Sequence, residues 1–140
     1  MKSFHSTLIP ALFIAFPAQA QTESRNRVEM LVAEAAQFVK QSGAEQLIHE
    51  INHAKGRFAN REASKPQLVV YDLKGKTLAH AGDVHHVGMD HSHHVAKLLE
   101  VAKTQERGWL ESVPETARIK QAIYFEKISG VLITITLQQH

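Results

Sequence analysis

The chain has 140 residues, about the length of one domain. Hydrophobic residues make up 44% of it and charged residues 21%, a balance typical of a globular protein and not of a disordered one. The sequence has no cysteine, which excludes disulfides, cysteine-based zinc sites and thiol nucleophiles. A formal net charge of only +2 does not predict a broad basic surface for nucleic acid.

The first 20 residues have the pattern of an export signal. A single charged residue, Lys2, precedes the apolar run Leu8–Phe16, and an Ala-x-Ala cleavage pattern ends at Ala20. The apolar run is much shorter than the roughly 20 residues needed to span a bilayer. We therefore expect residues 1–20 to be a signal peptide, and residues 21–140 to form a single periplasmic domain that does not span the membrane.

From Thr22 to Phe58 the pattern is helical, because apolar residues recur at steps of three and four. The first stripe consists of Val28, Leu31, Val32, Ala35, Phe38 and Val39. Ser42-Gly43 interrupts the pattern, and Lys55-Gly56 is predicted to close it with a glycine C-cap. This predicts a long helix followed by a shorter one, with a polar loop over residues 59–66.

The following segment changes to a strand pattern. Gln67–Leu73 is predicted to be a strand that turns tightly into a second strand, Thr77–His80. Ala81–Met89 is then an irregular loop rich in glycine and histidine. A third helix is expected from an N-cap at Asp90 or Ser92 to about Glu106, with the apolar stripe Val95, Leu98, Leu99 and Ala102.

Three more strands are expected after Gly108, at Trp109–Val113, Ile119–Ile128 and Val131–Leu137. The last two are joined at Ser129-Gly130. In the final strand the alternation places Val131, Ile133, Ile135 and Leu137 on one face. The predicted fold class is therefore α+β, with a five-stranded antiparallel sheet packed on a long N-terminal helix.

Several segments, in chain order, resemble the single Cache domain family, whose members are extracellular small-molecule sensors with a PAS-like sheet. The segment Val-Tyr-Asp-Leu-Lys-Gly-Lys-Thr-Leu-Ala-His at Val70–His80 is similar to the hairpin of that family. The other similar segments are Val32–Gly43, Ile51–Phe58, Val87-Gly88, Gly108-Trp109 and Ile123–Ile128. The sequence departs from the family pattern at Ala81, where proline is usual, and in the last strand, which lacks the Gly-x-Tyr ending.

This resemblance implies a pocket between the sheet and the segment after the second strand, occupied by a small metabolite such as an organic acid or amine. The candidate ligand-binding residues are Tyr71, His80, Trp109, Lys120 and Tyr124. Lys120 and Tyr124 alternate onto one face of a strand, which is a suitable pairing for an anion. Because family members are commonly fused to receptor or kinase modules, a membrane-bound kinase or chemoreceptor is the expected partner.

Six of the ten histidines lie between His80 and His94, and they suggest an alternative function. Histidine-rich tracts often bind zinc, copper or nickel. His91 and His94 would lie at i, i+3 on the predicted third helix, with further ligands from the preceding loop. The candidate metal ligands are His85, His86, His91 and His94, with Asp83 or Asp90 as a carboxylate. The alternative interpretation of the same residues, without metal binding, is a solvated polar loop.

Nothing in the sequence predicts an enzyme. It has no Gly-x-Ser-x-Gly motif, phosphate-binding loop or dinucleotide-binding motif. Ser92 lies between histidines, but neighbours in sequence do not make a catalytic pair in space. We expect a binding or sensing domain without a cofactor. A second alternative is a subunit that binds no small ligand and interacts only with protein.

Overall fold

The computed structural model describes residues 3–60, 62, 65–112 and 120–139, and within them three α-helices and five strands. The helices are α1 (Ser3–Ser42), α2 (Ala44–Asn52) and α3 (Ala96–Ala102), with one 3-10 turn at Val84–His86. The strands are β1 (Leu68–Asp72), β2 (Thr77–His80), β3 (Arg107–Ser112), β4 (Lys120–Ile128) and β5 (Val131–Gln139). In the described part of the chain, no helix has an apolar stretch long enough to cross a bilayer.

The five strands form one antiparallel sheet in the order β2-β1-β5-β4-β3. The central strand is β5, which pairs with β1 on one side and β4 on the other. The β4–β5 hairpin turns at Ser129 and Gly130, whose φ angles of 50° and 79° match the primed turns that suit a twisted hairpin. The predicted α+β fold with a five-stranded antiparallel sheet is confirmed.

One face of the sheet packs against α1. Four residues of the predicted apolar stripe of this helix, Val28, Val32, Ala35 and Val39, are buried, and the other two, Leu31 and Phe38, are partly buried. It contacts Val70 of β1 together with Val131, Ile133 and Ile135 of β5, so the predicted alternation of the last strand is confirmed. The long helix ends at Ser42 because Gly43 adopts a φ of 92°, and α2 follows directly.

The opposite face of the sheet carries a second, smaller core beneath α3. Leu98 and Ala102 of α3 pack on Phe125 of β4 and Leu132 of β5. Phe125 and Leu132 are fully buried. Odd-numbered residues of β5 are therefore covered by α1, and the even-numbered Leu132 is covered by α3. The sheet forms the middle layer of the domain.

The predicted boundaries of the third helix are wrong. The N-cap of α3 is Val95, not Asp90 or Ser92, and the helix ends at Ala102, not near Glu106. Because the Nζ of Lys127 donates to the Ala102 carbonyl (2.6 Å), the end of α3 is satisfied by the neighbouring strand β4. The backbone N–H of Lys127 also binds the Glu106 carbonyl, which draws residue 106 towards the sheet.

Edge pairing with β2 explains the late start of α3. The N–H of Thr77 donates to the Met89 carbonyl, and the N–H of His91 donates to the Gly75 carbonyl, both at 2.9 Å. An isolated bridge joins Lys76 to Asp90. The chain is therefore held along the sheet edge as far as His91. The prediction that His91 and His94 lie on the third helix is wrong, because both precede it.

The other strand boundaries differ by one or two residues from the predicted ones. β3 begins at Arg107 because the pairing of Arg107 with Glu126 extends the sheet before Trp109. β5 continues past Leu137 to Gln139, which pairs with Lys120 at the start of β4. Val113 and Ile119, predicted to be strand residues, lie outside the described residues.

Candidate functional site

A cleft of about 770 Å³ lies at the end of the sheet where β1 begins and β5 ends. Its volume is within the range typical of small-ligand sites. The walls come from α1, the segment before β1, and strands β1, β2 and β5. The lining residues are Ser24, Arg27, Lys65, Pro66, Gln67, Val69, Tyr71, His80, Thr136, Leu137 and Gln138.

Strand pairing brings two predicted site residues, Tyr71 and His80, to this cleft. Val69 is the direct partner of His80 across the β1–β2 pair, and Tyr71 follows Val69 by two residues along β1. Since side chains alternate along a strand, Val69 and Tyr71 face the same side of the sheet. Burial raises the pKa of the Tyr71 hydroxyl, so this group stays neutral and available for hydrogen bonding at ordinary pH.

The cleft has a positive electrostatic character. Arg27 and Lys65 line it, and no carboxylate does so among the described residues. The Nζ of Lys65 lies 3.4 Å from a carboxylate oxygen of Glu62, but both side chains are more than half exposed. Such an exposed pair contributes little. An anion entering the cleft would therefore meet two cationic groups, a phenol and the side chain of His80.

Hydrogen bonds hold His80 at both its backbone and its ring. Its N–H donates to the Oδ1 of Asn52 (3.1 Å), while the Nδ2 of Asn52 donates to the Leu78 carbonyl (3.0 Å). The Asn52 amide thus pairs with the outer edge of β2 much as a peptide group of another strand would. The ring Nδ1 of His80 accepts the N–H of Asp83 at 2.8 Å.

Two other predicted site residues, Trp109 and Tyr124, lie under α1 and not in the cleft. The Trp109 Nε1 donates to Glu29 (2.9 Å), and the guanidinium of Arg25 lies 4.6 Å from the Trp109 ring centroid. The Tyr124 ring packs against Trp109 at 5.2 Å. Burial, with the nearby Glu29 carboxylate, raises the pKa of Tyr124. This cluster fastens α1 to β3, where Arg25 also forms an ion pair with Glu111.

Lys120, the fifth predicted ligand-binding residue, is the first residue of β4 and pairs with Gln139. The structure describes only this backbone position. Its predicted ligand contact therefore stays a prediction.

Three of the four predicted metal-ligand histidines, His86, His91 and His94, lie in a row of contacting rings, whereas His85 contacts the carboxylate of Asp83. The ring centroids are 4.9 Å apart for His80 and His86, 5.3 Å for His86 and His91, and 5.9 Å for His91 and His94. His93 adjoins His94 at 6.2 Å. Among the described residues, no three or more histidine, aspartate or glutamate side chains are placed to hold one metal ion. Binding of zinc, copper or nickel stays a prediction.

Sequence reasoning missed the two cations of the cleft. Arg27 has the spacing of an ordinary polar-face residue on a helix, and Lys65 belongs to a polar loop segment. They can be identified only from the tertiary structure, because the cleft forms where α1 and the start of β1 meet the end of β5. Lys65-Pro66-Gln67, directly before a buried strand, was the nearest local indication.

The domain has the fold of a known sensor. The sequence matches no protein family, and no curated protein matches it. A solved structure described as the periplasmic sensor domain of a chemotaxis protein superposes with a TM-score of 0.62. The match covers 89% of this chain and 99% of the other at 14% sequence identity. The helices on a five-stranded antiparallel sheet are therefore the fold of that sensor domain.

Proposed function

We propose that this protein is an extracytoplasmic sensor domain whose cleft binds a small organic anion, such as a short carboxylate. The observation that carries the proposal is a cleft lined by Arg27 and Lys65, with Tyr71 and His80 on its sheet wall and no described carboxylate. A buried or half-buried carboxylate ligand needs such convergent donors, because desolvating it without them is costly. The same charges disfavour an amine, the other ligand class that the sequence left open.

The position of Arg27 suggests how a bound ligand would be communicated. Arg27 lies on α1 between Arg25 and Glu29, the two residues that hold the helix to Trp109. A ligand that binds the Arg27 side chain therefore acts on the same turns of α1 that Arg25 and Glu29 hold against β3. A ligand shifts such a helix only if it binds one packing better than another. We propose that a separate membrane protein, a kinase or chemoreceptor, senses this shift.

A thermal-shift panel tests ligand binding. The purified protein is mixed with short carboxylates, each alongside the amide and amine of the same carbon skeleton. A ligand at about 100 times its Kd stabilises by about 2.7 kcal/mol, so a binder raises the melting temperature by several degrees. We expect a shift with a carboxylate and none with its amide or amine. A panel without any shift would contradict the proposal and favour a subunit that interacts only with protein.

A matched pair of charge variants locates the site. Arg27→Gln removes a cation from the cleft, whereas Lys40→Gln removes an exposed cation from the same helix, about 20 Å further along it. We expect Arg27→Gln to weaken carboxylate binding at least tenfold by calorimetry, and Lys40→Gln to leave it unchanged. Equal carboxylate affinities of the two variants would show that the ligand does not bind in this cleft.

The proposed location depends on removal of residues 1–20. We propose that the protein is exported and cleaved after Ala20, as its Ala-x-Ala pattern predicts. Mass spectrometry of the periplasmic fraction is expected to find a chain that begins at Gln21. A chain that still begins at Met1 and stays with the cytoplasmic fraction would contradict this part of the proposal.

A further inference from the structure

Strand β3 forms one edge of the sheet, where it pairs with β4 alone among the described strands. The opposite edge is β2, which is covered by its pairing with residues 88–91 and by the Asn52 side chain. An uncovered edge presents a row of N–H and C=O groups with which another strand can pair. The outer side of β3 is therefore the edge of this sheet to which a further strand can be added.

The pairing of β3 with β4 determines which backbone groups of β3 point outward. The Lys127 N–H donates to the Glu106 carbonyl, and this pair continues the register of the two strands. In an antiparallel pair, residues that exchange backbone hydrogen bonds alternate with residues that do not. The even-numbered residues of β3 therefore bind β4, and the N–H and C=O groups of Arg107, Trp109 and Glu111 point outward. The part of the chain that the structure describes places no hydrogen-bonding partner on these outward groups.

The side chains of the same three residues lie on the face of the sheet that carries α1. The Trp109 indole N–H donates to Glu29 of α1, and Glu111 forms an ion pair with Arg25 of the same helix. Arg107 is exposed, and the side chain of Glu111 is 66% exposed. The outer edge of β3 thus carries a cation and an anion, each two residues from the central Trp109.

This order of charges makes the edge complementary to a second copy of itself. Two identical strands related by a two-fold axis pair in antiparallel fashion. With Trp109 on the axis, the outward groups of the two strands meet, and Arg107 of each copy lies opposite Glu111 of the other. Directly opposed residues of opposite charge, and directly opposed aromatic residues, stabilise a strand pair. A shift of two residues in either direction places Arg107 or Glu111 opposite Trp109 and leaves the charges unmatched.

We propose that β3 binds β3 of a second copy of this chain, so that the two sheets join into one continuous sheet. Arg25 contacts only the Oε1 atom of Glu111, so Oε2 can accept from Arg107 of the other copy. The interface is a single short strand pair and belongs to the weak class below about 1,200 Å² of buried surface. The dimer therefore forms at high protein concentration. It does not depend on the cleft or its ligand, so failure of either proposal leaves the other intact.

Sedimentation velocity and amide exchange of the wild-type protein test the proposal. We expect a monomer at about 10 µM and a dimer as the main species at about 1 mM, the range of a weak interface. By NMR, the outward amide of Trp109 should exchange at least about twofold more slowly in the concentrated sample, because more than half of the protein is then paired. The Leu110 amide, which binds β4, should exchange slowly at both concentrations. A monomer throughout, or a dimer whose Trp109 amide gains no protection, would overturn the proposal.

Two charge-reversed variants test the register. Arg107→Glu alone and Glu111→Arg alone each oppose like charges across the axis, so each should dimerise at least about tenfold more weakly than the wild type. An equimolar mixture of the two restores both opposite-charge pairs and should recover the wild-type affinity. Changes within one copy, such as the lost contact of Glu111 with Arg25, are the same alone and in the mixture.

A second mixture controls for net charge. Lys74→Glu and Glu45→Arg carry the same reversals at exposed positions outside β3. Each should dimerise as the wild type does, alone and when mixed. Wild-type affinity of Arg107→Glu or Glu111→Arg alone would overturn the proposed register, as would a mixture of the two that stays monomeric while both variants keep the wild-type circular dichroism. If either variant does not fold, the Trp109 amide of the wild type decides.

Discussion

Replacing Asn52 with alanine tests how strongly one side-chain amide stabilises the edge of the sheet. The Asn52 side chain accepts the His80 N–H at 3.1 Å and donates to the Leu78 carbonyl at 3.0 Å. Both contacts are half-buried, so the alanine variant leaves a donor and an acceptor of β2 without these partners. At about 1 kcal/mol for each bond, the free energy of unfolding should fall by about 2 kcal/mol.

Urea denaturation followed by far-UV circular dichroism measures this loss. With a denaturant slope near 2 kcal/mol/M, typical for a domain of this size, the midpoint should move down by about 1 M while the slope is unchanged. Asn26→Ala, an exposed asparagine on α1, is the matched control and should differ from the wild type by less than about 0.5 kcal/mol. If the urea midpoint of Asn52→Ala lies within roughly 0.2 M of that of the control, the Asn52 amide does not stabilise β2.

Three further outcomes follow from the packing and charges described above. Gly75 has a φ of 92°, and an added Cβ would lie 2.5 Å from the Ser92 Cα, so Gly75→Ala should destabilise by more than about 1 kcal/mol in the same urea assay. Phe125→Ala removes a fully buried ring from the core beneath α3 and should lower the free energy of unfolding by about 3–5 kcal/mol. The His85 backbone N–H lowers the pKa of Asp83, so its carboxyl should titrate below 3.8 by NMR.

A different result would contradict each of these three expectations. A Gly75→Ala protein as stable as the wild type would show that the turn tolerates an L side chain. A loss below about 1 kcal/mol for Phe125→Ala would mean that the core beneath α3 closes around the cavity. A carboxyl group whose pKa is lowered by folding stabilises the folded state above its ordinary pKa, and this stabilisation is lost as the pH falls. The Asp83–His85 contact should therefore persist at neutral pH. An Asp83 midpoint above 3.8 would exclude it.

The fold was largely predictable because local pattern and tertiary packing agree in this chain. The α1 stripe has a helical period and is buried on that period, from Val28 to Val39. β5 alternates, and the Ser129-Gly130 turn fixes its register against β4. The third helix was misplaced because Asp90 and Ser92 are good N-cap residues locally, whereas pairing with β2 holds the chain extended as far as His91.

The site was less predictable because its residues come from elements far apart in sequence. Tyr71 and His80 are brought together by a hairpin, which the sequence indicates directly. Arg27 joins them only when α1 packs across the end of the sheet, and no local pattern specifies that contact. Trp109 was predicted to contact ligand, and this stays a prediction; in the structure its indole N–H donates to Glu29 of α1, a contact that the sequence pattern does not indicate.

The central position of β5 has a consequence for how the molecule assembles. This strand follows all the other described strands along the chain, yet it joins two strand pairs that would otherwise be separate, with Asp72 meeting Val131 on one side and Ile128 meeting Val131 on the other. The β4–β5 hairpin closes the shortest loop and so forms at the least entropic cost. The described sheet is therefore complete only once β5 can pair, and in a polypeptide still being synthesised or translocated β1 and β4 stay unjoined until β5 is free.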